Sequence, residues 1–211
     1  MGRAMPATVV ATAAGFDNVA FMTELAPTRH GQVEGRDIFV FDGLVADDEL
    51  QQYVDALERA PFTRTEFAKP ETAESKHWVT ELPLANLAQL SLWELTDRAV
   101  ACARPGERYQ AYRAYTNYAS YGDMLYTHSD CAPDQRGLTA LWYLSKHWES
   151  EWGGETMFFD AAGDALFCAT PKPGRLVIFD GAIPHVGRPP SRICYEPRYT
   201  FAIKLDLAPS A

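Results

Sequence analysis

The sequence predicts a mostly β fold of the sandwich or barrel kind, in one domain, with helices ahead of the strands. After Gln110 seven runs of strand character follow one another: QAYRAYTNYASYG, MLYTHSD, GLTALWYLS, ETMFFD, DALFCAT, RLVIFDG and YTFAIKLDL. Turn signals separate them by a few residues to about a dozen, a spacing that suits antiparallel strands rather than βαβ units. The 211 residues, 47% hydrophobic and 12% aromatic, suffice for one substantial core, and a barrel or jelly roll takes this length. No internal repeat or low-complexity tract is visible.

Taken in chain order, residues 1–36 read as an N-terminal leader, partly mobile. Its stretch from Arg3 through PATVVATAAGF is short, rich in Ala and Thr and broken by Pro6, which argues against a secretory signal. The domain proper spans 37–211. Residues 37–42 (DIFVFD) read as a strand and 47–60 (DDELQQYVDALERA) as an amphipathic helix. Its acidic first turn complements the helix dipole, and Leu50, Val54 and Leu57 share one face. The stretch FTRTEFAKPETAESKHWVTEL mixes short strand-like pieces with a polar loop. A second helix is expected over 84–102, where Leu87, Leu90, Trp93, Leu95 and Val100 recur at helical spacing as sheet-packing core.

Charge and composition exclude several partner classes. With 19 basic and 28 acidic residues the net charge is −9, and no Lys/Arg cluster offers a face for phosphates, so neither nucleic acid nor an anionic membrane surface is an expected partner. No apolar run approaches the roughly 18 residues that span a bilayer. The four cysteines, Cys102, Cys131, Cys168 and Cys194, show no CxxC spacing. Reduced thiols in a cytoplasm are expected.

The chemistry is concentrated near YASYGDMLYTHSD. If its end is a strand, His128 and Asp130 leave the same face. A second histidine, His185, follows the apolar run RLVIF, the turn signal Asp180-Gly181 and the rigid Pro184. Two histidines and a carboxylate form a facial triad that leaves positions open on a six-coordinate metal, the arrangement of non-haem Fe(II) oxygenases. His30, His77 and His147 have no carboxylate two positions away and read as ordinary surface or core residues.

Four blocks in order, YASYGDMLYTHSD (118–130), LTALWYLSKHW (138–148), WGGETMFFD (152–160) and PKPGRLVIFDGAIPHVG (171–187) leading to PRYTFAIKL (197–205), resemble the Fe(II)- and 2-oxoglutarate-dependent dioxygenases, especially their prolyl-4-hydroxylase-like branch. The resemblance covers about half the chain. It implies a double-stranded β-helix (jelly roll, cupin-like) with its core at about 108–207, buttressed by N-terminal α-helices. It also implies Fe(II) held by His128, Asp130 and His185, with 2-oxoglutarate and O2 as cosubstrates and ascorbate as a stimulant. Arg198 falls where the family anchors the distal carboxylate of 2-oxoglutarate, a task suited to a planar, permanently charged fork. The interval from His185 to Arg198 is longer than the family usually shows, and Arg192 competes from within it, but a strand holds an arginine better than the loop PPSRICYEP. Tyr143 falls where the family places a phenol against the same carboxylate, and Tyr118 where another contacts the metal-proximal end. Asp130 disfavours halogenation, because related halogenases carry a small residue there.

The expected reaction is hydroxylation of an unactivated C–H in a prolyl or amino-acid-like residue, or in a natural-product intermediate, releasing succinate and CO2. The substrate is thus a small molecule, an amino acid or a peptide or protein. Arg64, Trp78 and Arg136 are candidate substrate contacts from their lid-like or strand-end positions. Two other classes stay open: a non-catalytic barrel that binds a metal or carboxylate as a sensor, and a cupin-like metal-dependent isomerase. The sequence does not set the oligomeric state.

Overall fold

A computed structural model describes residues 25–209, so the leader up to residue 24, including the stretch from Arg3, lies outside the described residues. The strands are β1 (Arg29–Val33), β2 (Arg36–Phe41), β3 (Thr63–Glu66), β4 (His77–Glu81), β5 (Tyr109–Ala119), β6 (Leu138–Tyr143), β7 (Thr156–Phe159), β8 (Ala165–Ala169), β9 (Leu176–Asp180), β10 (His185–Gly187) and β11 (Arg198–Leu207). The α-helices are α1 (Asp47–Leu57), α2 (Leu84–Leu87) and α3 (Ser91–Ala103). An eight-stranded sheet in the order β1-β2-β9-β6-β11-β5-β4-β3 faces a three-stranded sheet in the order β10-β7-β8, and every pairing is antiparallel. This is the jelly-roll arrangement, mostly β with a few flanking helices.

The central strands are buried on both faces, which is why LTALWYLS and RLVIF read as continuous apolar runs instead of alternating ones. Ala140, Trp142, Leu176, Ile178, Phe201, Ile203 and Leu205 point to the helix side, where they meet Leu50 of α1 and Leu92, Ala99 and Val100 of α3. Their neighbours Leu141, Tyr143, Val177, Phe179 and Ala202 point inward, toward Phe158 and Ala169 of the small sheet. The period of two in each strand therefore sorts residues between a helix-backed core and the barrel interior. Trp142, fully buried, donates its indole N–H to Thr96 Oγ1 at 2.9 Å and so ties the sheet to α3.

Three expectations about elements are corrected. The sheet starts before residue 37: residues 29–33, assigned to the leader, form β1 and pair with β2. The expected helix over 84–102 is two pieces, because Leu90 is extended (φ −93°, ψ 132°) and Ser91, hydrogen-bonded to Glu49 and to Tyr53 Oη at 2.7 Å, starts α3 afresh against α1. Leu92, Thr96, Ala99 and Val100, rather than Trp93 and Leu95, then face the sheet fully buried. The segment MLYTHSD is not a strand; β5 ends at Ala119. No helix among the described residues is long and apolar enough to cross a membrane, and the four cysteines are unpaired thiols.

One ion pair closes the sheet beside its helices. Arg175, almost fully buried, donates from Nε and Nη2 to the two oxygens of Asp42 at 2.7 and 2.9 Å, and from Nη1 to the Thr170 carbonyl at 2.8 Å. The fork joins the residue after β2 to the residue before β9 and satisfies a cation that cannot reach water. Asp42→Ala is expected to lower stability by on the order of 2–4 kcal/mol, read as a lower urea midpoint at unchanged slope; a midpoint equal to that of the parent protein would show that the pair is dispensable.

Candidate metal centre

His128 and His185 are brought together by backbone. The His128 N–H donates to the His185 carbonyl at 3.0 Å and the reverse bond is 2.8 Å, a two-residue antiparallel bridge. On its other side His185 pairs with Phe158 of β7. The segment 128–131 is then stapled to the turn after β9: Asp130 N–H donates to Gly181 O at 2.7 Å and Ser129 Oγ to Ala182 O at 3.1 Å. That turn, legible as DGAIP, is held by Asp180 Oδ1 accepting from Ala182 N–H at 2.9 Å. Gly181 is required by proximity, since a Cβ there would lie 3.0 Å from Cys131 Sγ and 3.3 Å from the Gly137 carbonyl.

The ligand atoms of His128, Asp130 and His185 all lie within 4.8 Å of one another. Asp130 Oδ1 is 3.4 Å from His128 Nε2, and Oδ2 is 3.6 Å from His185 Nε2. Each imidazole directs Nδ1 at a backbone carbonyl, Tyr126 O at 3.0 Å and Ile183 O at 2.9 Å, which assigns the proton to Nδ1 and leaves the Nε2 lone pairs converging. Burial pushes His185 down to about 4, so its ring is neutral near pH 7. Burial opposes ionisation of Asp130, yet the Lys204 ammonium and the two histidines hold its carboxyl well below the usual carboxylate range. Two imidazoles of fixed tautomer, the buried His185 neutral, and one ionised carboxylate fit a divalent first-row metal with open positions.

The cluster forms one wall of a cavity of about 260 Å³ that also contains Asn117, Thr156, Arg198 and Lys204. Arg198 is fully enclosed: Nε donates to Gly154 O at 2.6 Å, Nη2 to Thr156 Oγ1 at 3.1 Å and Nη1 to Thr200 Oγ1 at 3.3 Å. Gly187 lets it approach, since a Cβ there would stand 3.2 Å from both Nη atoms. Its hydrogen-bond partners among the described residues are all neutral, and the Glu155 carboxylate acts on it only from beyond ion-pair distance, so a buried positive charge faces the cavity without a paired anion. Arg192, the competitor, is exposed on the loop before β11.

Several expected site residues lie elsewhere. Tyr118 is on the opposite face of β5, its ring 5.7 Å from those of Phe62 and Tyr199 in the helix-side core. The alternation of β5 instead turns Tyr115 and Asn117 inward, and Asn117 Oδ1 is buried without a partner. Tyr143 does not line the cavity: its hydroxyl donates to Thr156 Oγ1 at 2.6 Å, and its ring sits 5.4 Å from the Arg198 guanidinium, supporting that residue from behind. Arg64 and Trp78 pack on each other at 5.9 Å outside the cavity, with Arg64 Nε on Lys76 O. Arg136 lies in a separate cleft, paired with Glu107. Conversely His77, read as an ordinary residue, lines the mouth. Lys204 was not singled out at all, although it shares the parity of Arg198, Thr200 and Ala202 along β11.

Residues 114–203 match the family profile described as the 2OG-Fe(II) oxygenase superfamily. No curated protein matches the chain. Among solved structures, a Pseudomonas putida prolyl-4-hydroxylase superposes with a TM-score of 0.55 at 16% identity, covering 81% of this chain and 92% of that one. A Trichoplax adhaerens prolyl hydroxylase in complex with a hypoxia-inducible-factor peptide fragment gives 0.61 at 18% identity, covering 80% and 83%. HygX from Streptomyces hygroscopicus, with nickel and 2-oxoglutarate bound, gives 0.59 at 16% identity, covering 80% and 82%. At these identities the likeness is one of fold.

Co(II) added without oxygen is expected to raise the melting temperature of the parent protein and of Tyr118→Phe, and to leave that of His185→Ala and Asp130→Ala unchanged. A full Co(II) shift in either of the latter variants would show that the metal sits elsewhere.

Proposed function

From membership of the 2OG-Fe(II) oxygenase superfamily, which the match across residues 114–203 carries, we propose that His128, Asp130 and His185 hold Fe(II) and that Arg198 anchors the distal carboxylate of 2-oxoglutarate. The chain is an iron- and 2-oxoglutarate-dependent oxygenase of the hydroxylase kind. The observation that supports the residue roles best is the charge of Arg198, buried with no carboxylate paired to it among the described residues, in the cavity that holds the cluster. A dicarboxylate bound there would supply the missing counter-ion and present its keto-acid end to the metal.

Bound iron would supply dioxygen activation coupled to decarboxylation of 2-oxoglutarate, yielding succinate and CO2. The protein's share is placement and exclusion of water. Arg198 and the Thr156 and Thr200 hydroxyls fix the distal carboxylate, with the Tyr143 ring backing the guanidinium. Asn117, whose Oδ1 has no partner, takes the cosubstrate contact expected of Tyr118; its amide can turn its NH2 donors to a carboxylate. The mouth mixes paired charge with apolar surface: Arg113, bonded to Glu66 and Glu81, stands beside His77 and Tyr112, and Phe67 and Leu125 join the lining. A mouth of this kind favours an amino-acid-like group, free or within a peptide, over a purely apolar one. The solved relatives include an enzyme complexed with a peptide fragment and HygX bound to hygromycin B, which are likewise polar ligands.

Arg198→Gln is expected to raise the 2-oxoglutarate requirement for succinate formation by at least tenfold, whereas Arg192→Gln leaves it within about twofold; one lost charge-assisted bidentate contact of about 1.5–3 kcal/mol sets that scale. Turnover indifferent to Arg198, or to 2-oxoglutarate altogether, would favour the cupin-like isomerase instead. Mass spectrometry of pooled peptides, amino acids and small metabolites, read for the gain of one oxygen, identifies the substrate.

A further inference from the structure

The buried lysine of β11 is bonded to the candidate metal cluster itself. Lys204 Nζ pairs with Asp130 Oδ2 and also donates to Thr139 Oγ1 at 3.2 Å, while the Thr139 hydroxyl donates to the same Oδ2 at 2.5 Å. The three groups close a triangle whose members are all buried. The backbone is shaped for it: the register of β11 against β5 shifts between Lys204 and Leu205, pairing Lys204 with Arg113 and Leu205 with Ala111, so that Tyr112 is an extra, unpaired residue. Bulges of this kind re-aim side chains, and here Tyr112, Arg113 and Lys204 all reach the cavity. The Tyr115 ring, 5.9 Å from Nζ, closes the other side of the ammonium.

We propose that Lys204, with Thr139, is a positioning residue that keeps Asp130 a one-oxygen ligand. This rests on the reading of the cluster as the Fe(II) site. A carboxylate oxygen has two lone pairs, and both of those on Oδ2 have protein donors, so Oδ1 is the atom left for the metal. The consequence is a coordination count. A six-coordinate ion holding two imidazoles and one carboxylate oxygen keeps three positions, enough for a chelating keto acid and dioxygen. Were Asp130 to bind through both oxygens, only two would remain and one reactant would be shut out. The Lys204 charge also balances a buried carboxylate when no metal is present, and it lessens the pull of Asp130 on the metal once one binds.

Lys204→Met keeps the bulk and removes the charge and the donor. Relative to the parent protein, the metal-free variant is expected to melt lower and to bind Co(II) at least as tightly. The Co(II)-loaded variant is expected to bind 2-oxoglutarate at least tenfold more weakly in anaerobic calorimetry. Thr139→Val, which removes one of the two bonds to Oδ2 and keeps the lysine, is expected to weaken 2-oxoglutarate about threefold, and it decides the matter if Lys204→Met does not fold. A lysine that only stabilises the barrel would cost the metal-free and Co(II)-loaded forms the same melting shift and leave 2-oxoglutarate affinity unchanged; that result, or lost Co(II) binding in a folded Lys204→Met, overturns the proposal. Parent protein that binds neither Co(II) nor 2-oxoglutarate would overturn the underlying Fe(II)-site reading.

Discussion

Two backbone hydrogen bonds between His128 and His185, at 3.0 and 2.8 Å, join segments that have little regular structure of their own. Residues 120–127 form no strand, and β10 is three residues long. The bridge sets which imidazole faces which, and the bonds from Asp130 and Ser129 to Gly181 and Ala182 then set the third ligand. A slip of one residue in the bridge would turn an imidazole to the opposite face. Buried backbone groups have to be paired, so such a slip would also leave donors unmet in the barrel interior. The geometry of the proposed metal site depends on sheet pairing, and sheet pairing depends on the two-sided burial of β6, β9 and β11.

That two-sided burial also explains how far the sequence could be read. The strands after residue 108, the acidic first turn of α1 and the DGAIP turn were legible because each has a local signature of period, charge or turn residue. The convergence of His128 and Asp130 was legible too, though for a different local reason: the segment is a single bridge between turns, and the loop over 120–127 was hidden by its aromatic content. Tyr118 shows the limit. Counting back from His128 assigns it to the site, whereas the alternation of β5 places Asn117 and Tyr115 inward and sends Tyr118 to Phe62. Parity along a strand was the better guide than distance from a motif. The same parity marks Lys204, and the apolar setting of RYTFAIKL is what made a buried lysine easy to pass over. Arg64, Trp78 and Arg136 carried no signal beyond being polar or aromatic near a loop, and such residues usually serve the surface.

Charge is arranged unequally around the cavity. Arg113 has two carboxylates, and Lys204 has Asp130. Arg198, enclosed by Gly154, Thr156 and Thr200, has only neutral partners among the described residues. Folding a guanidinium into that position is costly unless an anion completes it, which is the physical support for the proposed carboxylate site at that end, beside the proposed metal site. The Tyr143 ring and the absence of a Cβ at Gly187 add shape to the same demand. The arrangement of the proposed cofactor site is in this sense a by-product of strand alternation: β11 contributes Arg198 and Lys204 to one face while its other face packs on α1 and α3.

The central claim is that the three ligands and Arg198 together bind a keto acid on Fe(II). Anaerobic titration of the Fe(II)-loaded protein with 2-oxoglutarate, followed in the visible, tests it most directly. A weak charge-transfer band that saturates at one equivalent of 2-oxoglutarate is the predicted result, and it should disappear in His185→Ala. A parent protein that takes up Fe(II) yet develops no band at saturating 2-oxoglutarate would contradict the account.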